Sequence, residues 1–339
     1  MAIIQTHDIT LYGGNKYDII LCPLSDEHLP LLYKWCADPE VLYWTEGGAD
    51  TDLSYGSETV HQIYGGSKDK CLYFLIEADG NAVGECWLQK MNLPYVIEMY
   101  DSKLDVRRID MCIGEKEHWG KGIGTEFIGM MIDFAFYGEN VDILHCFCED
   151  YNIRSRRMWE KHGFTLALTE DLPQPQKGKF QYHYTLTRQQ FMQNRRYIPP
   201  SEEIFYMPLS ELQPCQLYIS EGKLRLCREW FNKNDISKMD AIPVKIFEGK
   251  NLMLDGHSRA VLAYMNGFDS VPCYYDDDEL DMAAYAVDVE WCEKENIKSI
   301  VDLEERIVSH KEYERLWRKR CMDKYYSNEY KRNTERLGN

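Results

Sequence analysis

Three glycines alternate with other residues in the run His118-Trp119-Gly120-Lys121-Gly122-Ile123-Gly124-Thr125. The residues before it, 108–114, alternate like a strand, and those after it, Phe127, Ile128, Met131, Ile132, Phe134 and Ala135, are spaced like the apolar face of a helix. Strand, glycine loop and helix together form a phosphate-binding arrangement. Glycines let backbone N–H groups approach an anion, and the helix start adds a partial positive charge. Just upstream, Asp110 lies between Ile109 and Met111. A carboxylate in an apolar strand is costly unless it is paired or working, and burial would raise its pKa toward that of a useful base. The alternative is a place on the strand's polar face.

Other elements must position these groups. A strand is expected over 17–24 and a helix over 26–37. A hairpin of 71–78 with 82–90 turns on Asp79-Gly80-Asn81. Further strands are expected at 107–115, 142–148, 164–169 and 180–187. Helices follow the glycine loop and span 152–162, the second stopped by Gly163. The polar, proline-paired stretch 194–203 reads as a linker, which predicts two domains, 1–196 and 197–339. The chain has 339 residues and a net charge of −17, with 20 Lys and Arg against 27 Asp and Glu from Tyr197 onward. Both halves are acidic, which argues against nucleic acid and suits a cationic substrate or simple solubility. No apolar run is long enough for a membrane span, and no signal peptide is evident. The 12 cysteines are scattered, often in apolar strands, and none joins histidine at zinc spacing. The pattern predicts reduced thiols, no metal and a cytoplasmic location.

The glycine run and the segment Asn152, Ser155, Trp159-Glu160-Lys161, Gly163-Phe164 together resemble the GNAT superfamily of acyl-CoA-dependent N-acyltransferases. Trp119 stands where that family most often has Arg or Gln. The resemblance implies an α/β (α+β) fold, a mixed twisted sheet flanked by helices, and acetyl-CoA as co-substrate. It places the pyrophosphate at Trp119, Gly120, Lys121, Gly122, Ile123, Gly124 and Thr125, and the pantetheine along Met111, Cys112 and Ile113. Asn152 and Ser155 would contact the CoA arm. Trp159 takes the position of a tyrosine thought to protonate the leaving thiolate, or else is a packing residue. The unit looks particularly like aminoglycoside 6′-N-acetyltransferases across residues 15–192. Arg108-Ile109-Asp110 matches a segment whose Asp contacts the reactive amine, and Trp44 with Gly47-Gly48 matches a region lining the acceptor pocket. Glu46, Asp50, Asp52, Glu149 and Asp150 are then candidates for holding a cationic small-molecule amine, the expected partner, and antibiotic resistance is the implied context. Polyamines, small metabolites and protein N-termini also remain open as acceptors.

In the second half, Asp255-Gly256-His257-Ser258-Arg259 follows a strand and starts a helix. With Ile242-Pro243-Val244 and Val271-Pro272-Cys273 it resembles the ParB/sulfiredoxin fold, here a smaller α+β domain with a helical tail. The resemblance implies a phosphate or nucleotide site at Asp255, Gly256, His257 and Arg259. Locally bonded groups at a capped helix start are the alternative. A nucleotide-dependent kinase or hydrolase, or a purely regulatory binding module, are the other functions left open.

Overall fold

The computed structural model describes all residues except Met1, Gln5, 47–52, Pro175 and Asn339. It divides into two units, Met1–Asn194 and Arg195–Asn339.

In the first unit, β1 (Leu11–Gly13) and β2 (Ile19–Pro23) lead into α1 (Leu29–Cys36), α2 (Pro39–Thr45) and α3 (Ser57–Ser67). The hairpin strands β3 (Cys71–Ala78) and β4 (Asn81–Lys90), a single turn α4 (Pro94–Ile97) and β5 (Val106–Ile113) follow. Next come α5 (Ile123–Asp133), β6 (Ile143–Glu149), α6 (Ile153–Lys161), β7 (Thr165–Asp171), β8 (Phe180–Thr187) and α7 (Arg188–Gln193). The strands form one eight-stranded sheet in the order β1-β2-β3-β4-β5-β6-β8-β7. Every pairing is antiparallel except β5 with β6. This is the mixed, helix-flanked sheet expected from the sequence.

The β5–β6 pairing positions the site. Only Val106↔Ile143 and Arg107↔Leu144 pair before the strands part, which opens a gap beside the C-terminal halves of both. Period-2 alternation then sorts the side chains. On β4 and β5 the opposed pairs Glu85↔Cys112, Trp87↔Asp110 and Gln89↔Arg108 share a face, while Cys86, Leu88 and Ile109 turn into the core. Gly114 follows β5 because the chain passes against the Trp35 ring, where an added Cβ would come within 2.1 Å of it. Trp35 in turn donates to Glu115 at 2.8 Å, fixing α1 to the end of the strand.

The second unit begins with β9 (Phe205–Pro208), β10 (Leu212–Gln213), β11 (Ile219–Ser220) and α8 (Glu221–Trp230). These are followed by β12 (Ile242–Phe247), β13 (Lys250–Met253), α9 (His257–Met265), β14 (Ser270–Tyr275) and α10 (Met282–Lys294). Five strands form a sheet in the order β10-β13-β12-β14-β9. Helical turns then run on to Asn328–Leu337. Its core is aliphatic around Val244, Val261 and Leu262, closed by the edge-to-face pair Trp291–Trp317.

Candidate active site

Gly120 and Gly122 both take positive φ, 72° and 93°, and Gly122 is the N-cap of α5. Nothing crowds them: a Cβ at either would meet no atom within 4 Å. Their requirement is therefore the left-handed backbone, with open space over it, at the start of a helix, where the first N–H groups have no carbonyl a full turn before them. Trp119 ties the loop down by donating its indole N–H to the Ile113 carbonyl at 2.7 Å. It does the job of an anchor where Arg or Gln was the usual residue. At the other side His162 Nε2 meets the Thr125 carbonyl at 2.9 Å.

A cavity of about 440 Å³ runs from this loop into the gap between β5 and β6. Met111, Cys112 and Ile113 line it from β5, Gly120, Gly122, Gly124 and Thr125 from the loop and α5. Asn152, Ser155 and Trp159 line it from α6 and its cap. Asn152 is the N-cap of α6: its Oδ1 accepts from Ser155 N at 3.2 Å, and its Nδ2 donates to the Trp44 carbonyl at 3.0 Å. Both ends of its amide are thus engaged in holding α2 to α6. Trp159 is 2% exposed, packs on Phe164, and its indole N–H has no hydrogen-bond partner in the protein. Lys121 and Ile123 do not line this cavity; Ile123 is fully buried in the core, so only its backbone can serve a ligand, whereas Lys121 is exposed on the loop.

A second cavity, about 630 Å³, shares Asp110, Met111, Cys112, Phe147 and Glu149 with the first. Among the described residues four carboxyl groups line it: Glu46, Glu85, Asp110 and Glu149. Asp110 accepts from Arg108 Nε at 2.7 Å, and that nitrogen also reaches Gln89 Oε1 at 2.9 Å. Enclosure raises the Asp110 pKa, against the opposing pull of the Arg108 charge. Burial also raises Glu46, partly offset by a hydrogen bond from the Tyr55 hydroxyl. Glu85 is 7% exposed, and burial pushes it up to about 8 although the Trp87 indole donates to it.

The site therefore assembles Asp110, Glu46, Glu149, Trp44 and the donor residues around two joined cavities. Asp150 is set apart. Its Oδ1 accepts from Lys179 N at 3.2 Å, tying the β7–β8 connection, and it lines neither cavity. Gly47, Gly48, Asp50 and Asp52 lie outside the described residues. Glu85 was missed by the sequence reading. Its signal was the alternation Glu85, Trp87, Gln89 against Cys86 and Leu88, polar on one face of a strand that is otherwise core. Arg154 was also missed. It lines the donor cavity with its guanidinium 5.0 Å from the Trp44 ring centre and 5.7 Å from that of Trp119.

In the second unit, Gly256 caps α9 with φ 86°. His257 is 5% exposed and accepts from Cys215 N at 3.2 Å, and burial lowers its pKa to about 4. That imidazole is a neutral packing group rather than a cationic phosphate ligand. Asp255 and Arg259 pair at 3.5 Å, and Arg259 Nε is buried without a hydrogen-bond partner.

Residues 18–165 match the family described as acetyltransferase (GNAT) domain. The first unit thus carries a match to the acetyltransferase (GNAT) domain, as befits an N-acetyltransferase that takes its acetyl group from acetyl-CoA. Aminoglycoside N(6')-acetyltransferase type 1 of Serratia marcescens is 25% identical over 200 residues, covering 56% of this chain and 94% of that protein. Alpha/beta-tubulin-N-acetyltransferase 9 of Homo sapiens is 26% identical over 171 residues, covering 48% and 79%. Among solved structures, aminoglycoside acetyltransferase AAC(6')-Ib with coenzyme A superposes with a TM-score of 0.44 at 20% identity, covering 52% of this chain and 99% of that one. Spermidine N-acetyltransferase from Vibrio cholerae, with CoA and spermine, gives 0.42 at 15%, covering 51% and 98%.

Proposed function

We propose that the enzyme acetylates a primary amine of a small molecule carrying several ammonium groups, of the aminoglycoside kind. The observation that carries this reading is the cavity lined by four carboxyl groups, joined to the glycine-loop cavity through Asp110 and Glu149. An acidic pocket selects polycations, and a shared wall lets one amine reach a thioester held in the gap.

In this reading the loop around Gly120 and Gly122 holds the pyrophosphate. The open space above it and the orphaned Trp159 N–H beside the gap fit that ligand. Acetyl-CoA supplies the activated acetyl group. Asp110, kept basic by enclosure, takes the proton from the attacking amine. The backbone N–H groups that β5 turns toward the gap, those of Met111 and Ile113, polarise the carbonyl. Trp159 donates a hydrogen bond toward the departing sulfur, without giving up its proton, so water protonates the thiolate. Glu46 and Glu149 receive the acceptor's other ammonium groups, while the buried Glu85 stays largely protonated at the back of the cavity. Thiol release from acetyl-CoA across aminoglycosides, polyamines and small amines tests the reading; it fails if none stimulates release.

We further infer a phosphate or nucleotide site at the start of α9 in the ParB/sulfiredoxin-like unit. The unpartnered Arg259 Nε beside the left-handed Gly256 supports it. ADP or ATP binding that survives Arg259→Ala would remove Arg259 from that role.

A further inference from the structure

Lys177, on the connection between β7 and β8, projects into a box of three aromatic rings. Its Nζ lies 2.7 Å from the centre of the Tyr43 ring, 3.6 Å from Tyr151 and 5.6 Å from Trp44, and it donates to the Tyr43 carbonyl. The box borders the active site. Trp44 lines the donor cavity, and Tyr151 directly precedes Asn152, with its hydroxyl 3.4 Å from the Tyr43 carbonyl. The carboxylate that acts on this ammonium is Glu149, part of the wall common to both cavities. A primary amine with aromatic faces around it, within the field of the Glu149 carboxylate, is what a cationic acceptor would present there.

We propose that Lys177 is itself an acetyl acceptor, modified in cis by the enzyme of which it is part. This rests on the reading of the first unit as an acetyl-CoA-dependent N-acetyltransferase. The Lys177 nitrogen attacks the thioester carbonyl carbon; a C–N bond forms and the C–S bond breaks. The amine proton passes to water, and the CoA thiolate takes a proton from water. The products are Nε-acetyl-Lys177 and CoA, with no further reactant. Desolvation favours the step, because it lowers the Lys177 pKa to about 8 against the pull of Glu149. Roughly a tenth of the amine is then neutral at pH 7, against well under a hundredth for an ordinary lysine. Acetylation removes the charge that holds the side chain among the rings, so the box is vacated to a second, external ammonium.

The test incubates the full-length protein with acetyl-CoA and no added amine, and maps acetylated peptides by mass spectrometry. Lys177 is expected to be modified at least about tenfold faster than the exposed Lys70 and Lys331, in line with its larger neutral fraction. The first-order rate is expected to be independent of protein concentration. Acetyl-CoA is expected to outpace S-acetyl-N-acetylcysteamine, which lacks the pyrophosphate. Lys177→Arg, which keeps the cation in the box, should abolish it. Equal rates with both donors, or Lys177 modified no faster than Lys331, overturns the proposal. Thiol release with the amine panel, run on the same preparation, separates the two readings. Release with amines but an unmodified Lys177 sinks this proposal alone; neither release nor modification sinks both.

Discussion

Asp110 and Glu85 show how depth assigns roles to carboxyl groups on one face. Asp110 keeps 31% of its side chain exposed and has a guanidinium 2.7 Å away, so it is raised only moderately and can cycle as a base. Asp110→Asn is expected to lower kcat by about 10²–10⁴-fold with acetyl-CoA binding retained, measured by steady-state kinetics and donor titration. Because the base works deprotonated, wild-type kcat/KM should rise with pH as Asp110, its pKa raised by enclosure, loses its proton. Glu85, held near 8 by burial, is largely protonated at neutral pH. Its folded pKa exceeds the unfolded one, so the stability it contributes is complete below about 4.5 and is lost as pH rises toward 8. Glu85→Gln should therefore flatten that decline, melting higher than wild type at pH 8 but close to it at pH 4. Each kcal/mol relieved is worth about 2–4 °C in a domain of this size. Trp159→Phe keeps the ring and removes the orphaned N–H. If that N–H meets the leaving sulfur, kcat should fall by about tenfold, the worth of one hydrogen bond; unchanged kcat leaves Trp159 a packing residue.

At the scale of elements, the glycine loop works because two left-handed residues turn the chain from β5 into the start of α5. Gly122→Ala meets no steric neighbour, so its cost is conformational, about 1–2 kcal/mol at φ 93°. The loop should relax away from that geometry, raising the acetyl-CoA Kd by about tenfold with little change in Tm; calorimetry with donor and a thermal melt read the two apart. Sequence made such elements legible where the signal is local. The hairpin around Asp79-Gly80, β5, β6 and α6 with Gly163 at φ 81° all follow from turn chemistry and periodicity. The gap between β5 and β6 became legible only through the family resemblance, because it depends on where two distant strands stop pairing. Glu85 and Lys177 escaped for the same reason. One reads as an ordinary strand residue until β4 is set against β5, and the other as a loop lysine until residues 134 positions away in the chain wrap around it. Asp150 failed the opposite way: adjacency to Glu149 suggested a shared role, but β6 ends at Glu149 and the turn aims Asp150 at the Lys179 N–H instead.

At the scale of the whole molecule, the net charge of −17 belongs to both halves of the chain. Its field draws cations to the protein and repels the polyanionic CoA donor. The two substrates should therefore respond to salt in opposite directions. Raising ionic strength from about 0.01 M to 0.15 M shortens the screening length from roughly 30 Å to 8 Å, which removes the distant charges and leaves the ionised cavity carboxylates in action. KM for a polycationic acceptor should rise several-fold across that range, and KM for acetyl-CoA should fall or hold. A monoamine acceptor, with less charge to steer, should show a correspondingly weaker rise. The comparison isolates field from pocket: Glu46→Gln removes one charge of seventeen net, so a loss of affinity for the polycation that persists at high salt reports contact within the cavity. If polycation and monoamine KM values respond identically to salt, charge is not what selects the acceptor, and the acidic cavity loses its assigned part in recognition.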